Sequence, residues 1–450
     1  MKSTFKFLFG VLKSKHTLSL ISNGINALVG IVTFSILYRF LTSDEVGNWG
    51  FFLTILLLVD TFRSGFLTTA FVKFYAGSSE DRQNEIVGSS WFIAILITLG
   101  LIVLNIPAYF LSIYVKDPSF TLFLKFFGIN YILSLPFFVS NCVLQGKQRF
   151  DRLLILNFSN QGTFLISLIV VIALGKIDIY STLYCYLFAN LLSSLIALFS
   201  GWTGFSKLRF RTSSAIKEIY HFGKFSVGTN LSATLLGTAD SFIIKLFLGP
   251  AALAVYGAGT KLTQIVEIPL RSFIYTAMPT LSARYNSGQK SEVIRVMKKY
   301  VGMLSILLMP VFILVFIFAD YAILIIGGKN YAITEAPNIL RIYMFIAILY
   351  PAERFFALTL DVIHLPKINF KKVILMVLVT VVTDLVAVKL TNSVYGIAVS
   401  SIFTTASGML IAFYAINRYY QKFTLKDLYK EGYQEVILMV KDVLSKLKAK

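Results

Sequence analysis

Apolar residues in this chain gather into runs long enough to cross a bilayer, separated by short polar stretches. A hydrocarbon core about 30 Å thick requires about 20 consecutive apolar helical residues. Such runs cover 17–40, 46–71, 86–111, 121–144, 153–174 and 179–202, then 221–248, 252–280, 300–326, 336–362, 370–390 and 394–416. The pattern predicts an all-α integral membrane protein with about twelve transmembrane helices, six in each half. The halves also match each other. Shifted back by 207 positions, the stretch from Phe225 to Thr260 falls on a segment near the N-terminus: Asn230 on Asn23, Gly237 on Gly30, Ile243 on Ile36 and Gly257 on Gly50. The same shift carries Phe247 and Leu248 onto Phe40 and Leu41, and Asp60 onto Glu267. The expected organisation is a basic interfacial helix over 1–16, a first six-helix bundle over 17–206, a homologous second bundle over 207–424, and an amphipathic cytoplasmic helix over 425–450.

Composition agrees with the pattern. Mean hydropathy is +0.75, and 56% of the residues are hydrophobic against 14% charged. Lysine and arginine outnumber the acids 42 to 22, which in a membrane protein points first to cytoplasmic loops and anionic lipid. The basic residues alternate from loop to loop. One set of connections carries clusters such as Lys147, Arg149 and Arg152, or Lys207, Arg209, Arg211, Lys217 and Lys224; the other carries only Arg39, Lys116, Lys176, Lys329 and Lys389. That alternation places both termini in the cytoplasm. Nucleic acid is excluded as a partner, since no soluble stretch is long enough for a binding fold. Cys142 and Cys185 both lie in apolar runs, so neither a structural disulfide nor a metal site is expected. In the tail, Thr424 and Asp427 suit a helix start, and Leu425, Leu428, Val436, Val440, Val443, Leu444 and Leu447 mark an apolar face ringed by lysines. This reads as a helix resting on an anionic leaflet.

Ionisable residues inside apolar runs are expensive and face a partner helix or a cavity. Asp60 and Arg63, three residues apart, share a helical face. In the run over 252–280, Lys261, Gln264, Glu267 and Arg271 fall on one arc about 120° wide. Each half thus presents an acid followed by an arginine at matching depth. Two readings account for this: internal ion pairs that hold helices together, or polar walls around a central cavity, as in a transporter built from two repeats. Asp240 has no basic residue three or four positions away, and its repeat counterpart is Thr33. Lys245 lies close enough to a helix end to snorkel. Pro351 would kink its helix, and Asp384 is a lone acid with no assigned role.

Several segments resemble the oligosaccharide flippases of polysaccharide biosynthesis, within the superfamily of multidrug, oligosaccharidyl-lipid and polysaccharide exporters. They are ADSFIIKLFLGPAALAVYGAGTKL from Ala239, GFLTTAFVKFYAG from Gly65, LQGKQRF from Leu144, AMPTLSARYNSG from Ala277 and VYGIAVSS from Val394. Twelve spans also suit that family. The resemblance implies a bacterial plasma-membrane protein that moves undecaprenyl-diphosphate-linked oligosaccharide from the cytoplasmic to the outer leaflet by alternating access. Cell-surface polysaccharide, O-antigen and lipopolysaccharide among them, would be the end product, with membrane lipids and a polysaccharide polymerase or glycosyltransferase as partners. On this reading Arg63, Lys261, Gln264 and Arg271 bind substrate, the cations meeting the diphosphate. Asp60, Asp240 and Glu267 balance them as cavity acids, one of which would hold a coupling proton or sodium; no other cofactor is implied.

A cation-coupled antiporter of drugs or metabolites from the same superfamily is the alternative, and it would favour a net-negative cavity. An enzyme is not expected. The outer loops are too short for a catalytic domain, the three histidines are scattered, and no nucleotide-binding motif is present.

Overall fold

The computed structural model describes residues 15–428, 430–433 and 436–437. Nearly all of the expected helix over 1–16, and the last part of the one over 425–450, lie outside the described residues. Those described form helices and no strand. The chain divides into two compact units, Met1–Leu235 and Leu236–Lys450, with the division falling inside one long helix.

Unit one contains α1 (Lys15–Phe40), α2 (Ser43–Tyr75), α3 (Glu80–Leu111), α4 (Pro118–Leu133), α5 (Leu135–Gly146), α6 (Phe150–Ala173), α7 (Ile179–Phe199) and the first part of α8 (Ser213–Phe247). α2 starts on a complete capping box, with Thr42 and Glu45 each accepting the other's backbone N–H. The run over 121–144 is two helices, α4 and α5, meeting at 51°. Pro136 lacks the N–H that would continue the ladder. Ser194 of α7 repairs the break: its hydroxyl donates to the Leu133 carbonyl at 2.5 Å and accepts from the Phe137 N–H at 3.1 Å. An interrupted span needs this kind of repair, because lipid offers no replacement partner. The connection from α7 and the start of α8 are strapped to α3. The Trp91 indole donates to the Thr203 carbonyl at 2.8 Å, and Arg82 pairs with Glu218.

Unit two continues with α9 (Pro250–Lys261), α10 (Gln264–Asn286), α11 (Lys290–Ile317), α12 (Ala319–Ala332), α13 (Ala336–Ala347), α14 (Tyr350–Val362), α15 (Pro366–Thr391) and α16 (Val394–Tyr419). Its core gathers Met297, Phe355, Phe356, Ile416, Phe423 and Leu428. α13 and α14 meet at 47°, with Pro351 in the first turn of α14, so the proline acts where the sequence placed a kink. Among the described residues, seven helices are long and apolar enough to cross a membrane, or nine when each bent pair counts as one span. The three remaining runs, 17–40, 221–248 and 252–280, are also helical but shorter in description or richer in polar residues.

The described part of the tail does not rest free on a surface. It docks on α11. Leu428 is buried in the unit-two core, and Lys298 pairs with Glu431 at 2.5 Å. Gly302 and Gly432 let the two backbones touch: a Cβ on Gly302 would stand 2.0 Å from the Leu428 carbonyl oxygen, and one on Gly432 would stand 2.2 Å from the Gly302 carbonyl carbon. The Thr424 N–H donates to the Asp427 carboxylate at 3.0 Å, which caps the segment and holds that carboxyl below its usual range. Gly302→Val is therefore expected to unseat the tail while α11 stays folded. Limited proteolysis should then cut near Phe423 severalfold faster than in the parent. Equal rates would contradict the docking.

Candidate functional site

Each unit holds polar groups inside its bundle, and those of the two units differ in kind. In unit one, α2 crosses α5 and the first part of α8 around a cavity of about 600 Å³. Its polar lining includes Asp60, Arg63, Ser64, Asn141, Gln145, Asn230 and Thr234. Thr61 and Thr234 hydroxyls meet at 3.0 Å, which ties α2 to α8. Amides and hydroxyls dominate, groups that exchange hydrogen bonds with a polyhydroxylated ligand without fixing its charge.

Asp60 and Arg63 form the ion pair expected from their spacing, at 2.7 Å, but they are not equivalent. The Arg63 side chain is 4% exposed and that of Asp60 is 42% exposed. The guanidinium lies 4.1 Å from the Phe138 ring centre and 4.8 Å from that of Tyr131, an aromatic seat that suits a planar, weakly hydrated cation. Tyr131 is fixed in turn by donating to the Leu56 carbonyl at 2.9 Å. Both residues line the cavity, the cation held against the rings and the acid the more exposed of the two. Behind it, Asn160, Asn190 and Asn130 are linked in series at 3.0 and 2.9 Å, a satisfied polar chain between helices.

In unit two the expected arc is broken. Lys261 ends α9 and Gln264 begins α10, so Lys261 does not stand on one helix with Glu267 and Arg271. Threonine hydroxyls flank the break. Thr260 donates its hydroxyl to the Tyr256 carbonyl at 3.0 Å, and Thr263 donates to the Thr260 carbonyl at 2.7 Å. Glu267 and Arg271 do pair, at 2.9 Å, with the arginine side chain 70% exposed. The repeat counterpart in unit one, α2, runs unbroken.

Asp240 is the centre of a separate cluster. Tyr256 of α9 donates to it, the Tyr256 and Tyr343 hydroxyls are hydrogen-bonded, and Tyr343 in turn meets Ser401 of α16 at 3.0 Å. Asp384 of α15 accepts from Ser400, and its carboxyl lies within hydrogen-bonding reach of Asp240. The sequence singled out Asp240 but not Tyr256, Tyr343, Ser400 or Ser401. No local spacing connects residues drawn from four helices. Lys245, expected to snorkel, is buried instead. A further buried pair joins Lys372 to Glu353 at 2.8 Å, with Arg354 on the same carboxylate at 3.5 Å. Among the described residues no group of three or more His, Cys, Asp or Glu side chains could hold a metal ion.

An all-helical membrane chain with polar constellations inside its bundles defines a transporter-like class, and comparison with known proteins specifies it. Residues 36–335 match the family described as polysaccharide biosynthesis protein, and the chain belongs to that family. No curated protein matches by sequence. Among solved structures, a lipid II flippase MurJ in an inward closed conformation superposes with a TM-score of 0.72 at 15% identity, over 95% of this chain and 92% of the other. An inward-facing multidrug resistance MATE transporter of the MOP superfamily gives 0.72 at 13% identity, over 95% and 99%. A MOP superfamily transporter from Pyrococcus furiosus gives 0.63 at 14% identity, over 90% and 96%. These likenesses establish the fold shared by flippases and exporters. These three solved structures are a flippase and two transporters.

Proposed function

We propose that the protein is a flippase that carries undecaprenyl-diphosphate-linked oligosaccharide from the cytoplasmic to the outer leaflet of a bacterial plasma membrane, for cell-surface polysaccharide. The observation that carries this reading is the unit-one cavity, a large space lined by amides and hydroxyls inside an apolar bundle of a polysaccharide-biosynthesis family member. A glycan cannot enter hydrocarbon without such groups to replace water. Arg63 lines this cavity but is 4% exposed and already paired with Asp60, so the cavity suits the sugars better than the diphosphate. The exposed guanidiniums of Arg271 and Arg354, at 70% and 53%, are the better diphosphate contacts. Lys261 and Gln264 stand near Arg271 in sequence and share that role.

Coupling belongs to the Asp240–Asp384 pair. Two carboxyl groups this close are bridged by one proton or one sodium ion, with the Tyr256, Tyr343 and Ser400 hydroxyls completing the shell. Twelve spans and cytoplasmic termini remain part of the proposal. A second reading, the cation-coupled antiporter, draws on one feature: the half-exposed Asp60 carboxylate, which would attract an amphipathic cation.

The test replaces Asn141 and Gln145 by leucine in cells that make surface polysaccharide. Lipid-linked oligosaccharide should accumulate in the inner leaflet at unchanged protein level, with tolerance to cationic compounds unaltered. Undisturbed polysaccharide together with new drug sensitivity would favour the antiporter.

A further inference from the structure

A second open space in unit one lies away from the polar cavity, where the end of α2 meets the start of α8. It is a groove of about 570 Å³ with Phe74, Phe222 and Phe225 as its apolar wall, and Lys217 and His221 on its rim. The Phe74 and Phe222 rings pack edge to face at 5.8 Å. Lys73 holds its ammonium 4.1 Å from the Phe222 ring centre, and Lys224 holds its own 5.1 Å from that of Phe225. The one acid of the groove, Glu218, is already engaged by Arg82. Three lysines therefore surround an apolar wall whose carboxylate is neutralised.

Depth identifies the occupant. α8 is 35 residues long, which at 1.5 Å per residue is about 52 Å, well beyond the hydrocarbon thickness of about 30 Å. Its charged residues Lys217, Glu218, His221 and Lys224 precede Phe225, and no further charge follows until Asp240. The groove thus sits where hydrocarbon gives way to headgroups. An apolar wall on the lipid side with ammonium groups above it matches one chemistry: acyl chains below, a phosphodiester anion at the rim.

We infer that this groove binds an anionic glycerophospholipid, which anchors the α2–α8 corner of unit one to the leaflet. It is distinct from the transport path, and the inference stands whether the cargo is a lipid-linked glycan or not.

The protein is purified and placed in nanodiscs of phosphatidylcholine with a minor share of phosphatidylglycerol, and retained lipid is read by native mass spectrometry. The parent should retain phosphatidylglycerol preferentially. The variant K73Q/K217Q/K224Q should lose that preference severalfold, while K329Q, at a site remote in sequence, should keep it. A separate variant, Phe225→Trp, should be quenched more by brominated phosphatidylglycerol than by brominated phosphatidylcholine, after subtraction of the parent's signal. Unchanged retention in the triple variant, or equal quenching by the two lipids, would overturn the inference. Displacement of phosphatidylglycerol by polyprenyl diphosphate at equal concentration would also overturn it and assign the groove to the cargo.

Discussion

Lys372→Met is expected to destabilise the folded protein by about 3 kcal/mol or more, because it strands a buried carboxylate. Lys372 and Glu353 are 2% and 7% exposed, and their 2.8 Å contact is the closest that Glu353 makes to a cation. Arg354 stays at 3.5 Å after the substitution, on a side chain that is itself half-exposed, so it compensates only in part. The double variant Glu353→Gln, Lys372→Met removes both charges and should recover most of the loss, since a buried pair adds little over a neutral packing of similar volume. Thermal unfolding of the detergent-purified protein reads both effects. A single variant as stable as the parent would show that water reaches Glu353 and that the α14–α15 contact is not a desolvated one.

Arg63→Ala comes second, at about 2–4 kcal/mol. The guanidinium fills the space between Tyr131 and Phe138 and neutralises Asp60, so its loss combines an emptied seat with the loss of two ring contacts. Asp60 is 42% exposed, which spares it much of the cost of a stranded charge. Arg63→Lys should recover part of the stability but not all of it, because an ammonium does not stack between rings. Asp60→Asn keeps an oxygen facing Arg63 and should leave stability within about 1 kcal/mol of the parent. The amount of folded protein, measured by fluorescence-detected gel filtration, separates the two positions. If Arg63→Ala were fully stable but inactive, Arg63 would act directly on cargo and not as the anchor of Asp60.

The helices were legible because periodicity and length settle the matter: all twelve apolar runs fall on helix. Pairing of Asp60 with Arg63 and of Glu267 with Arg271 was legible too, since neighbours three or four apart on a helix meet wherever the helix is placed. Three features were not. The break after Lys261 falls inside a run of apolar residues that hydrophobicity alone reads as one helix. The Asp240 cluster joins α8, α9, α13, α15 and α16, and only their packing shows that Asp384 is its second acid. The third is exposure: Asp60 and Arg63 both line the unit-one cavity, but the arginine side chain is 4% exposed and the acid 42%, a difference that spacing along a helix does not record.

The central claim is that this chain moves a glycan-bearing lipid across the bilayer. The direct measurement uses purified protein in vesicles carrying a fluorescent polyprenyl-diphosphate oligosaccharide, with the share of label reached by an impermeant quencher followed in time. The account predicts that protein-containing vesicles expose inner-leaflet label and that Asn141→Leu, Gln145→Leu vesicles, with equal protein incorporated, do so much more slowly. Label that stays sealed in both, while a fluorescent amphipathic cation crosses with the parent protein, would contradict it.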